Sequence, residues 1–241
     1  MAIAAATFTA PALTLVIAAN PAEAAGGGSV VPGQPTLSNP VAGGGSDYTI
    51  PFTTSASGTV ASGGTITIVA PTGTHFPTCM TGCTNYTLTV ATNAPVQATS
   101  ISSPSPNQVI ITVPSTIGAN TAVTVVVNSV SNPTTASSSY TLQESTTGDT
   151  TAATSPAFAV NAGAPAFVVA TGGDNQSAQI STQFPQQLVA TVTDSFGNPE
   201  TPAGDTILFQ APASGASASF TGGGNSDSVL SANGNYTSHA L

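Results

Sequence analysis

Residues 108–127 read QVIITVPSTIGANTAVTVVV, two runs in which every second position is apolar. Val109, Ile111 and Val113 form the first set, and Val123, Val125 and Val127 the second. A period of two places such residues on one face of a β-strand, because successive side chains point to opposite sides of the pleat. β-Branched residues suit that surface. The same alternation recurs upstream at Tyr48, Ile50 and Phe52, at Ile66 and Ile68, and at Tyr86, Leu88 and Val90, and downstream at Tyr140 and Leu142. Thr and Ser occupy much of the opposite face, and turn signals such as Ser57-Gly58, Gly63-Gly64 and Asn132-Pro133 separate the runs. No segment of helical period competes. Six or seven short strands in about 120 residues predict an antiparallel β-sandwich of immunoglobulin type over residues 37–162.

The chain of 241 residues contains no Lys and no Arg, against nine Asp and Glu, for a net charge of −9. Ordinary proteins draw about a quarter of their residues from the four charged types. Without an ammonium or guanidinium the chain lacks the side chains used for phosphate cradling, Arg-type base readout and Schiff-base chemistry. Its charge repels nucleic acid and anionic membranes, so neither is expected as a partner. Abundant Ser, Thr, Asn, Gln and Gly supply a neutral polar surface instead.

Residues 1–24 are Ala-rich and apolar up to Ala19, and end in Pro21, Ala22, Glu23 and Ala24. This is the pattern of a secretory signal peptide cut between Ala24 and Ala25, although the usual positive n-region is missing. Pro11 and the marginal apolar length argue against a membrane anchor. Gly, Ser and Pro cluster over residues 25–36, which are read as a linker. The expected localisation is extracellular or at the cell surface.

A second domain is expected over residues 163–241. Its markers are the segment Gly163–Phe167, the turn Gly173–Ala178, the strand Leu188–Asp194, the corner Gly197-Asn198-Pro199, the strand Thr206–Ala211 and the turn Gly222–Gly224. Asp194 can cap a turn through its side chain, Gly197 can take positive φ, and Pro199 prevents strand continuation. Ile207 and Phe209 alternate with Leu208, and Ala216, Ala218 and Phe220 repeat the two-residue period. In order and spacing these pieces resemble the bacterial Ig-like group 1 (Big-1) module of intimin and invasin type adhesins. An Ig-like domain needs about 100 residues, so the module is expected to be C-terminally incomplete, with its closing strands due after Asn233-Gly234 and association through the open edge available to it. Residues 37–160 more loosely resemble the β-strand repeats of bacterial surface proteins.

Candidate chemistry is sparse. Cys79 and Cys83 form an even pair in a chain read as exported, and a local disulfide between them is expected. By loop entropy so small a ring stabilises by about 2 kcal/mol. The competing reading takes His75, Cys79 and Cys83 as metal ligands on one helical face, but Pro77 interrupts the span and a fourth ligand is not evident. No G-x-S-x-G elbow occurs, and His239 has no visible partner. Asp174, Asp194, Glu200, Asp205 and Asp227 are scattered in turn-like contexts; turn capping is their first reading, and calcium between loops at Asp174, Asp194 or Asp227 the second. The chain has no Trp, and Tyr48, Tyr86 and Tyr140 fall on strand positions, which leaves few stacking platforms for sugars. The sequons at Asn85, Asn175 and Asn235 permit N-glycosylation, but such triplets arise by chance in an Asn/Thr-rich chain.

The expected role is non-enzymatic and without cofactor: a spacer or adhesive segment of an exported bacterial surface protein, made of two Ig-like sandwiches in series. The resemblance to Big-1 implies partners among neighbouring Ig-like repeats or host and cell-surface molecules. The alternatives are a secreted carbohydrate- or cell-wall-binding module and an accessory domain of a secreted hydrolase.

Overall fold

The computed structural model describes residues 28–79, 82–200, 206–230 and 235–238. The leader of residues 1–24 and its cleavage point at Ala24 and Ala25 lie outside them, as do Asp205, the Asn233-Gly234 turn and His239.

All regular structure among the described residues is β. The chain runs through β1 (Val31–Pro32), β2 (Thr36–Leu37), β3 (Gly45–Thr53), β4 (Thr65–Val69), β5 (Tyr86–Val90), β6 (Val96–Gln97), β7 (Ser100–Ser105), β8 (Gln108–Thr112) and β9 (Ala122–Ser131). It continues with β10 (Ser137–Tyr140), β11 (Gln143–Thr146), β12 (Ala153–Thr154), β13 (Phe158–Val160), β14 (Phe167–Gly172), β15 (Val189–Thr193), β16 (Thr206–Gln210), β17 (Ser226–Leu230) and β18 (Asn235–Thr237). One sheet has the order β1-β3-β9-β5-β6 with β2 also on β3, and a second has the order β12-β11-β4-β8-β7. Strands β10 and β13 form a separate pair. All pairings between these strands are antiparallel.

The alternating residues do what their spacing predicts. Tyr48, Ile50 and Phe52 of β3, Leu88 of β5 and Val123, Val125 and Val127 of β9 merge with Ile66 and Ile68 of β4 and Val109 and Ile111 of β8 into one buried cluster. Two sheets therefore close face to face. Each aliphatic side chain so buried contributes roughly 1.5–3 kcal/mol. Tyr48, a fully buried member of the cluster, stands edge-on to Phe76 and Phe158 at ring distances of 6.5 and 6.0 Å.

The reading of residues 25–36 as a linker is corrected from Gly28 onward. Val30 is buried in the core, Val31 and Pro32 pair with Thr53 and Phe52, and Thr36 and Leu37 pair with Thr49 and Tyr48. Pro51 explains why the edge comes in two pieces. Proline has no N–H to give a ladder, so it suits a strand edge; here Pro51 falls between the β1 and β2 pairings, and its carbonyl accepts from the Gly33 N–H at 2.7 Å.

Beyond Asn161 the chain forms a second group, with a three-stranded sheet β14-β15-β18 and a two-stranded sheet β16-β17. The buried cluster of the first sandwich includes no residue from it. Ala190, Val192, Ala211, Phe220 and Tyr236 are buried there, while Phe167, Val168, Leu208 and Leu230 are exposed. The alternation at Ala216, Ala218 and Phe220 does not make a strand: residues 211–220 are irregular, and Phe220 closes a turn by donating to Gly224 and accepting from Gly223. Alanine side chains bury too little surface to hold a strand that has no partner.

Candidate functional site

Cys79 and Cys83 are joined in a disulfide. Its loop is fastened to the sandwich by Tyr86, whose hydroxyl donates to the Pro77 carbonyl at 2.6 Å and whose N–H donates to the Cys83 carbonyl at 3.0 Å. Both sulfurs are thereby consumed, which removes the alternative reading of His75, Cys79 and Cys83 as metal ligands. The backbone of His75 exchanges hydrogen bonds of 2.9 Å with Ser131 in both directions, a structural role. Among the described residues no group of three or more His, Cys, Asp or Glu is placed to hold a metal ion. Asp227 lies within β17 rather than in a turn.

The carboxylates that the fold buries act on the chain itself. Asp194 follows β15 and is 1% exposed. One of its oxygens accepts from the N–H groups of Phe196 (2.8 Å) and Asn198 (2.9 Å), and the other from the Gly163 N–H (2.9 Å) and the Asn198 side-chain amide (2.8 Å). Burial works against its ionisation, but the hydrogen bonds from Asn198, Gly163 and Phe196 outweigh that and lower its pKa to about 2. The corner needs Gly197, whose φ of 84° is a left-handed conformation. The capped corner anticipated at Asp194, Gly197 and Pro199 is therefore present, closed by a bridge between Thr193 and Pro199.

Asn198 does more than turn the chain. It is buried, and its side-chain amide donates to the Thr134 carbonyl at 2.7 Å while its side-chain oxygen accepts from the Ala136 N–H at 2.8 Å. Thr134 and Ala136 belong to the connection between β9 and β10 of the first sandwich. The corner of the second group is thus hydrogen-bonded to the first.

Two acids in the first sandwich were not singled out by the sequence. Asp149 is fully buried between β11 and β12; it accepts from the Ser55 N–H at 2.9 Å and from the Ser55 hydroxyl, pinning the turn after β3. Glu144 of β11 is 1% exposed and neither of its carboxylate oxygens has a hydrogen-bond partner. It stands opposite Ile68 in the register of β11 and β4, on the inward face. Burial raises its pKa from 4.5 to about 7. The segment Gln143–Thr146 is polar throughout, so no apolar alternation marks which side faces in.

Of the tyrosines considered as sugar platforms, Tyr48 and Tyr86 are fully buried, and Tyr140 packs against Phe158. Two cavities lie in the second group. One of about 870 Å³ runs between residues 178–184 and 216–221 and is lined by no titratable side chain. The other, of about 310 Å³, is lined by Phe184, Leu188, Pro212 and Phe220 among others, with Asp174 its one acid.

No protein-family model matches the chain, and no curated protein is significantly similar to it.

Proposed function

We propose that the protein is a non-enzymatic spacer or adhesive segment of an exported bacterial cell-surface protein, with residues 163–241 a module of Big-1 type. The observation that carries this reading is the use of its buried polar groups. Asp149, Asp194, Asn132 and Asn198 each hydrogen-bond to main-chain groups of the chain, fixing turns and joining consecutive β units. A spacer that holds its modules in line needs turns and joints fixed in this way. The disulfide Cys79–Cys83 supports passage through an oxidising compartment, since such bonds persist in exported proteins and are rare in the cytosol. The signal-like residues 1–24, cut between Ala24 and Ala25, would direct that passage.

Neighbouring Ig-like repeats are the first partners to seek. The outer edge of β14, which pairs with β15 and no other strand among the described residues, presents Phe167 and Val168 to solvent and supports pairing with a further strand. A carbohydrate- or cell-wall-binding module is the second reading, and the 310 Å³ cavity is the feature that favours it. A glycan array and a cell-wall sedimentation assay on residues 28–241 separate the two. The spacer reading expects no saturable binding. Binding to a defined glycan that Phe220→Ala abolishes, with the fold retained, would replace it.

A further inference from the structure

The connection between the two β groups is short and held at both ends. Asn161 donates to the Pro40 carbonyl (2.7 Å) and accepts from the Ala42 N–H (2.8 Å), so it belongs to the first sandwich. Ala166 donates to the Thr193 carbonyl (2.8 Å), so it belongs to the second group. Little chain between them is free to bend, and the Gly163 N–H is itself held by Asp194.

Two further contacts bridge the groups beside this connection. The first is the paired hydrogen bonding of Asn198 with Thr134 and Ala136. The second is Phe196, whose ring covers Gly43: a Cβ on Gly43 would fall 2.4 Å from the ring, and Gly43 has a φ of 67°. Gly43 in turn donates to the Pro133 carbonyl at 2.9 Å, which ties the surface under Phe196 to the segment that Asn198 reads. The held connection and the two contacts of the Asp194–Asn198 corner, at Asn198 and at Phe196, attach the second group from two segments and oppose hinging.

We infer that the corner Asp194–Asn198 is a coupling site that clamps a β module onto the module before it at a fixed angle, by pairing Asn198 with two backbone groups of that preceding module. Both partners of Asn198 are main-chain atoms. The site therefore recognises a backbone shape, a carbonyl and an N–H two residues apart in an exposed connection, and not a side chain. Its partner class is any preceding β-sandwich that presents that pair next to a glycine able to lie under the Phe196 ring. Asp194 is the positioning residue, because its carboxylate holds the amide of Asn198 in the orientation that the pairing needs. This inference concerns how modules are joined, and stands apart from where the protein resides.

Residual dipolar couplings measured on the full chain test it. The native protein is expected to fit one alignment tensor across both β groups. Asn198→Ala and Phe196→Ala together are expected to split it into two, with the amide shifts inside each group retained. Thr134→Ala, which alters the side chain and leaves the carbonyl, is expected to keep one tensor. If the double variant unfolds the second group, Ala136→Pro in the Phe196→Ala background removes the N–H from the other side of the joint together with the ring contact, and is expected to give the same split. Two independent tensors in the native chain, or one shared tensor in both the double variant and Ala136→Pro with Phe196→Ala, would overturn the clamp; a split caused by Thr134→Ala would overturn its backbone-only character.

Discussion

Tyr48 and Asn132, separated by 84 positions, share a hydrogen bond of 2.9 Å inside the first sandwich, from the tyrosine hydroxyl to the side-chain oxygen of Asn132. The amide of Asn132 donates in turn to the carbonyls of Asn39 and Val41, each at 2.8 Å. One buried side chain thus links Tyr48 of the core to the loop on which the second group rests. Asn132→Ala leaves the buried Tyr48 hydroxyl and the Asn39 carbonyl unmet, while the Val41 carbonyl keeps the Gly44 N–H, and is expected to cost about 2 kcal/mol; Tyr48→Phe leaves one acceptor unmet and is expected to cost about 1 kcal/mol. Urea unfolding of the two variants gives both values.

Glu144 makes the first sandwich sensitive to pH in an unusual direction. Its pKa is raised from 4.5 to about 7 by burial, so the folded state holds the proton more tightly than the unfolded chain does. Its contribution is most favourable below pH 4.5, declines as pH rises towards about 7, and is constant above that. The decline amounts to something on the order of 3 kcal/mol. Glu144→Gln is expected to remove the slope between these pH values and to be more stable than the native protein at pH 8, as read from denaturation midpoints across the range.

The acid in the joint behaves oppositely. Asp194 is lowered from 3.8 to about 2, so its stabilisation is fully present above pH 3.8 and disappears as pH falls towards 2. Hydrogen exchange at the Gly163, Phe196 and Asn198 amides is expected to quicken over that interval, after correction for intrinsic rates. Asp194→Asn is expected to abolish the acid step and to expose these amides already at neutral pH.

Cys79→Ser with Cys83→Ser is expected to lower stability by about 2 kcal/mol and the melting temperature by several degrees, since the bond closes only a short loop. The sandwich is expected to stay folded. Calorimetry of the double variant against the oxidised protein measures the difference.

The strands of the first sandwich were legible because each apolar run found a partner of matching period. Ile66 and Ile68 meet Ile111 and Val109 in register, so the two periods match across the pair. Residues 28–36 read as a linker because Gly, Pro and Ser suggest one, whereas two-residue edge strands need only backbone groups and a neighbour such as β3. The alternation at Ala216, Ala218 and Phe220 had the right period and no partner. At the candidate site, the corner of Asp194, Gly197 and Pro199 could be read locally, because capping and positive φ are local properties. The reach of Asn198 to Thr134, 64 positions away, has no local signature. Nor has Glu144, whose inward orientation comes from its register with Ile68 and not from its own polar segment.

As an exported surface segment, the protein is expected to be reached by antibody on intact cells. An antibody raised against the folded first sandwich, residues 28–162, is applied to cells that make the protein, before and after permeabilisation. Equal labelling in the two states, lost when intact cells are treated with a protease that cuts after acidic or aromatic residues, is the predicted result. Labelling that appears only after permeabilisation, with the protein found reduced at Cys79 and Cys83, would contradict it.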